Sequence, residues 1–180
     1  MTRFQRLRQY LLQSAAATRR VHLSRFGAIA AITFLLSQLG SYLIHQFLGI
    51  GESVVLIEGA LNFTHVRNLG GVFGLAQGKG WVFGLLSVAL LGGLLFYLLC
   101  SRQVRVYEFF CFGFVAGGGA SNITDRLIYG SVIDFIDVRG IPFWNYIFNT
   151  ADVFIHVGLW PMLFIGLFWH GKQAEQEKRQ

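Results

Sequence analysis

Four stretches of this chain are too apolar to lie against water, and they constrain the fold before anything else does. Phe26 to about Leu48 (FGAIAAITFLLSQLGSYLIHQFL) holds no charge apart from a possible one on His45. Trp81 to Cys100 (WVFGLLSVALLGGLLFYLLC) holds none. A shorter, glycine-rich stretch runs from about Phe109 to Ile123, and a fourth from about Asp152 to His170. A bilayer core is crossed by about 20 mostly apolar helical residues. Apolar types make up 54% of the 180 residues and charged types only 13%, about half the charge of an ordinary soluble domain. The expected fold class is all-α membrane protein: four transmembrane helices with a small β-rich segment on the periplasmic side.

The basic residues orient these helices. Residues 1–25 hold six arginines (Arg3, Arg6, Arg8, Arg19, Arg20 and Arg25) and no acid. With Arg102, Arg105, Lys172, Lys178 and Arg179, one side of the membrane collects 11 basic side chains. The loops at 49–80 and 124–151 hold four: Arg67, Lys79, Arg126 and Arg139. Cytoplasmic loops carry the Lys/Arg excess. Both termini are therefore expected in the cytoplasm and the two long loops outside. The domains follow: a basic cytoplasmic tail over 1–25, a four-helix membrane domain over 26–170, and a cytoplasmic tail over 171–180. The first apolar stretch is too long for a signal-peptide h-region and has no small-x-small site after it, so it is expected as a retained helix. The arginine tail is read as a topology signal rather than a lipid-binding element. The pI near 9.7 comes from that tail, so no nucleic-acid partner is expected.

Within the first outer loop, Ser53–Ile57 is a short β-type run and Leu61–Val66 alternates apolar and polar residues; with Glu58-Gly59 between them, they predict a small hairpin at the membrane surface. Cys100 and Cys111 belong to no CxxC or Cys/His cluster, and both read as buried small apolar residues. His45 and His156 read as satisfied core or rim residues. No metal site and no cofactor are expected, and no nucleotide or metalloprotease motif occurs.

The chemistry should sit with the acids. Of nine acidic residues, Asp125, Asp134, Asp137 and Asp152 gather at one membrane face, with Asn122, Arg126, Asn145 and Asn149. Ionisable groups at membrane depth are costly and usually mark function. Two carboxylates in one low-dielectric site cannot easily both ionise, so the pair can activate water and protonate a leaving amine. Four candidates remain, and residue physics does not choose the pair. Several simpler roles are weighed. Asp152 suits the first turn of a helix; Asp125–Arg126 suits a rim ion pair; Asp137–Arg139 suits a solvated loop pair. Gly117-Gly118-Gly119-Ala120 suits close helix packing. Asn68-Leu69-Gly70-Gly71 suits a tight turn after a strand, in which Asn68 could also reach a peptide. A proton or ion relay is the competing transporter reading, and the placement of all four acids at one face counts against it.

Three blocks then coincide with a known pattern: Arg67-Asn68-x-Gly70-x-x-Phe73-Gly74; Asn122-x-x-Asp125-Arg126-x-x-x-Gly130-x-Val132-x-Asp134-Phe135; and Phe148-Asn149-x-Ala151-Asp152. In this order, between about Ser37 and Gly158, they resemble the lipoprotein signal peptidases, the type II signal peptidases of bacteria. The resemblance implies a four-helix aspartyl endopeptidase of the bacterial cytoplasmic (inner) membrane with its active site at the outer face. It implies cleavage of the signal peptide from prolipoproteins before a diacylglyceryl-modified cysteine, with no cofactor. It implies Asp134 and Asp152 as the catalytic dyad, with Asn68, Gly70, Asn122, Asp125, Arg126 and Asn149 supporting the site and holding substrate. Its implied partners are lipid-modified prolipoproteins, membrane lipids and globomycin-type inhibitors. The chain departs from the pattern where the family usually carries Asp-Gln-x-x-Lys: Ser37-Gln38-Leu39-Gly40-Ser41 keeps only the glutamine. Ser121 replaces a usual glycine. A diverged relative that binds lipoproteins or an inhibitor without cleaving is the alternative.

Overall fold

The apolar stretches fold as helices, as their lengths require. The structure, a computed structural model, describes residues 3–13, 15–71, 75–101 and 103–169. Val72, Phe73 and Gly74 of the glycine loop lie outside the described residues, as do Arg102 and the expected C-terminal tail with Lys172, Lys178 and Arg179. In chain order the elements are α1 (Arg3–Leu12), a 3-10 turn (Ala16–Thr18), α2 (Arg19–Phe47), β1 (Ser53–Ile57), β2 (Leu61–Asn68), α3 (Gly80–Cys100), α4 (Val106–Tyr129), β3 (Val132–Val138), β4 (Ile147–Phe148) and α5 (Thr150–Trp169).

Among the described residues three helices are long and apolar enough to cross a membrane: α2, α3 and α5. The helix over the third apolar stretch, α4, is longer than its apolar core and carries Glu108, Asp125 and Arg126. Its polar groups are covered by protein, because α4 lies between α2 and α5 and packs most heavily on both. Small residues make that closeness possible. A Cβ on Gly117 would run into Thr33 and the Ala30 carbonyl of α2, and one on Gly118 into the Ala151 carbonyl of α5. Gly158 of α5 returns the fit against the Cys111 carbonyl. Two of the three glycines in that run, Gly117 and Gly118, are thus a packing device, as the composition suggested.

Two boundaries differ from expectation. The first apolar helix starts at Arg19, not Phe26, so the boundary expected at residue 25 falls inside α2. Arg19 explains the extra turns: its guanidinium donates to the Leu98 carbonyl (2.9 Å) and to the Ser101 carbonyl, orphan acceptors at the C-terminus of α3. The arginine-rich segment before it contains α1. At the far end, α4 stops at Gly130, whose φ of 72° is the left-handed cap that glycine supplies at no steric cost.

The strands form one antiparallel meander, β1-β2-β3-β4. The expected hairpin is present, and β2 continues beyond Val66 to Asn68. The region 124–151, expected as a loop, contributes β3 and β4. Strand alternation sorts β3. Ile133 and Phe135 pack with Ile44 and Leu48 of the α2 end, and Phe135 comes up against Gly40. Asp134, between them, faces the other way. Asp137 is not a solvated loop residue: it is 4% exposed, accepts from Thr64 Oγ1 at 2.7 Å, and pairs with Arg139 at 2.5 Å. Cys111 is buried, but Cys100 is exposed at the last position of α3, contrary to expectation.

Candidate active site

Three elements meet at one end of the helices: the last turns of α4, the first turn of α5, and β3 against the end of β2. The first turn of α5 is closed by a reciprocal cap. Asn149 Oδ1 accepts the Asp152 amide at 3.0 Å, and Asp152 Oδ2 accepts the Asn149 amide at 3.3 Å. This is a capping box with an acid at its third position. The helix-end role weighed for Asp152 is therefore real, and it coexists with a second one. Asp152 Oδ1 also accepts from Asn122 Nδ2 at 2.9 Å.

Asn149 joins the two carboxylates. Its side-chain nitrogen donates to Asp134 Oδ1 at 2.8 Å and to Asn122 Oδ1 at 3.2 Å. With its oxygen capping α5, that amide uses both of its donors and its acceptor oxygen, and Asn149 is 2% exposed. Asp134 Oδ2 accepts from Asn68 Nδ2 at 2.9 Å. The same Asn68 shapes its own turn, with Oδ1 accepting the Gly70 amide at 3.0 Å and Nδ2 donating to the Gly71 carbonyl at 3.2 Å. Both weighed roles for Asn68, turn former and site residue, thus belong to one side chain. Arg126 closes the ring, donating to the Gly70 carbonyl at 3.2 Å and the Asn122 carbonyl at 3.0 Å.

Burial, and next the charge of Asp152, push the Asp134 carboxyl up to about 7; the Asn68 and Asn149 bonds and Arg126 offset only part of this. A carboxyl so poised can hold a proton near neutrality and release it. Among the described residues, no three His, Cys, Asp or Glu side chains stand together as a metal site.

Of the expected site residues, the structure brings together Asn68, Gly70, Asn122, Arg126, Asp134, Asn149 and Asp152. Asp125 is turned away. It is 1% exposed; its Oδ1 accepts from Gln38 Nε2 (2.9 Å), and its Oδ2 from Ser41 Oγ (3.0 Å) and the Ile133 amide (3.2 Å). Asn122 and Asp125, three residues apart, would share a face of an isolated helix. Three residues advance a helix by about 300°, and on a helix between two neighbours the remaining 60° is enough to send Asn122 to α5 and Asp125 to α2. Nor does Asp125 pair with Arg126, since each has other partners. His45 Nδ1 takes a bond from Arg67 at 3.0 Å, and His156 Nδ1 donates to the Asp152 carbonyl at 2.8 Å.

The residues that sequence reasoning noted only as departures form a set. Ser121 Oγ accepts from Gln38 Nε2 at 2.9 Å. Gln38, Ser41 and Ser121 thus build an uncharged cradle around Asp125, and through the Ile133 amide Asp125 fixes β3 one residue from Asp134. Ser37 has no such role: its hydroxyl is buried without a partner. The signal for the cradle was present in the three-residue spacing of Gln38 and Ser41, but only the fold shows what they face.

These helices and the sheet define a class, the helical membrane enzymes. The chain aligns with a bacterial membrane enzyme solved by the in meso method at a TM-score of 0.75 and 27% identity, covering 83% of this chain and 91% of that one. The family follows from sequence: residues 29–169 match the model described as signal peptidase (SPase) II, and the chain belongs to that family. It is 34% identical over 143 residues to the lipoprotein signal peptidase of Fusobacterium nucleatum, spanning 79% of this chain and 86% of the relative. It is 34% identical over 145 residues to that of Brevibacillus brevis, spanning 81% and 95%.

Proposed function

We propose that this chain is an aspartyl endopeptidase that removes signal peptides from diacylglyceryl-modified prolipoproteins, cutting before the lipidated cysteine. The observation that carries the proposal is the single amide of Asn149 bonded to both Asp134 and the α5 cap that holds Asp152. A water between the two carboxylates attacks the scissile carbonyl. Asp152 takes the water's proton as general base, and Asp134, which its burial lets hold a proton near neutrality, gives one to the leaving nitrogen. Asn68, Gly70, Asn122, Arg126 and Asn149 hold the carboxylates and the substrate backbone. Asp125 acts one step back, by positioning β3.

In this proposal α4 is a fourth span. Its 24 residues make a rod of about 36 Å, and α2 and α5 shield its polar groups from lipid. The basic 1–25 segment and the 171–180 tail lie in the cytoplasm, the 26–170 domain spans the inner membrane, and the dyad lies at the outer face. Substrate acyl chains stay in lipid while the scissile bond reaches the rim. A globomycin-type cyclic peptide would compete for the same carboxylates.

The non-cleaving alternative drew on the serines at 37 and 41. The hydrogen bond from Ser41 to Asp125 weighs against it, because the replacement still supports the scaffold. The test is a gel-shift assay on a diacylglyceryl-modified prolipoprotein, with the purified chain in detergent. Cleavage by the wild type, and none by folded Asp134→Asn or Asp152→Asn, is expected. Binding without cleavage by the wild type would sink the peptidase proposal.

A further inference from the structure

Helix α1 lies outside the family match, which begins at residue 29. Its sequence RFQRLRQYLL puts Phe4, Leu7 and Leu11 on one stripe at i, i+3 and i+7. The C-terminal part of the stripe is docked on protein. Tyr10 and Leu11 pack against the cluster of Leu98, Val104, Val106 and Phe109. The chain after α1 is tied down by backbone bonds from Ala15 N to the Val104 carbonyl (2.9 Å) and from Val106 N to the Gln13 carbonyl (3.2 Å). Arg25 adds a bond to the Tyr10 hydroxyl. These ties fix α1 at the rim where α2 begins, α3 ends and α4 begins, the opposite end of the helices from Asp134 and Asp152.

The N-terminal part of the same stripe is largely exposed. Phe4 is 66% and Leu7 55% exposed. Arg3 and Arg6 are exposed beside it, and Arg20 and Arg25 on the adjoining turns of α2. No acid occurs in residues 1–25 to neutralise them. An apolar stripe bordered by arginines, held where two apolar helices enter the bilayer, is the pattern of a helix lying in a membrane interface. We propose that α1 is an interfacial helix that binds the anionic phospholipid headgroups of the adjoining leaflet, Phe4 and Leu7 entering the acyl boundary and Arg3 and Arg6 meeting the phosphates. The inference needs only that α2 and α3 cross the bilayer, and it stands apart from the peptidase proposal. The arginines then do more than set topology.

The experiment is hydrogen–deuterium exchange on the full chain in nanodiscs of phosphatidylcholine alone or with one-third phosphatidylglycerol, at one chain per disc. Amides of residues 5–12 should exchange about tenfold more slowly in the anionic discs, where each basic side chain gains attraction to the surface. The Arg3→Gln/Arg6→Gln variant should lose the difference while exchange in α2–α5 and prolipoprotein cleavage stay unchanged. Phe4→Ser/Leu7→Ser should lose protection in both discs. Equal exchange in the two lipids would overturn the inference, as would protection that rises only when two chains share a disc.

Discussion

Asp134→Asn should make the protein more stable in alkaline solution and nearly neutral in acid, while abolishing the proposed activity. The carboxyl is 4% exposed and pushed up to about 7, against about 3.9 in an unfolded chain. The folded state therefore prefers the protonated form. The associated stability is fully present below about pH 4 and is lost as pH rises toward 7, reaching roughly 4 kcal/mol of penalty by pH 8. Asparagine carries no charge and escapes that penalty. It gives up an acceptor, however: Asn68 and Asn149 both donate to Asp134, and one of them would face an NH2 group at a cost of about 1–3 kcal/mol. At pH 5 the two effects nearly cancel, since the wild type has lost only about 1–2 kcal/mol there. At pH 8 the variant gains about 1–3 kcal/mol net, or roughly 3–10 °C in Tm for a chain of this size. Tryptophan-fluorescence melting in detergent from pH 5 to pH 8 reads this directly. A Tm difference that does not change with pH would refute the account of Asp134 as a carboxyl kept protonated by its surroundings.

Three further outcomes follow from the same geometry. The kcat/KM of prolipoprotein cleavage should fall above about pH 7 with a slope of one, as the dyad loses the single proton that Asp134 holds; a flat profile to pH 9 would contradict the acid role. Ser41→Ala removes one bond to the buried Asp125 carboxyl and should cost about 1.5–3 kcal/mol. It should lower kcat more than it raises KM, because the Ile133 anchor loosens β3 rather than a substrate contact. Gly118→Ala should destabilise by about 1–3 kcal/mol through its clash with the Ala151 carbonyl and impair cleavage by moving Asp152. Gly119→Ala, with open space at the same depth, should be neutral or slightly stabilising, and paired Tm and turnover measurements separate the two.

The apolar helices were legible because length and hydropathy alone set them: α3 and α5 start within two residues of expectation. The hairpin was legible because Glu58-Gly59 separates a β-type run from an alternating one. The strand β3 was not, because its run VIDFIDV buries four consecutive residues, two on each face, and so lacks the polar-out alternation that marks an exposed strand. Asp137 was misjudged for the same reason. The gathering of Asn68, Asn122 and Asn149 around two aspartates could be anticipated only through the family motifs, since the residues come from β2, α4, β3 and the start of α5, with 84 positions between Asn68 and Asp152. Asp125 shows the limit of helical spacing as a guide. Residues three apart share a face of an isolated helix, yet on a helix enclosed by two neighbours the same spacing divides them between partners.

The arrangement also explains why stability and chemistry are opposed at this site. A helix N-terminus favours an ionised acid, and Asp152 is placed there with its carboxylate accepting from a backbone amide and from Asn122. A buried strand position disfavours one, and Asp134 sits there beside it. The fold thus presents two identical side chains from different elements, one at a helix N-terminus and one at a buried strand position. That spacing would relax if either element shifted. It is held by Asn149, which caps the helix with its oxygen and restrains the strand carboxylate with its nitrogen. Loss of this one amide would uncap α5 and free Asp134 together, so the distance between the carboxylates is coupled to the folding of the helix itself.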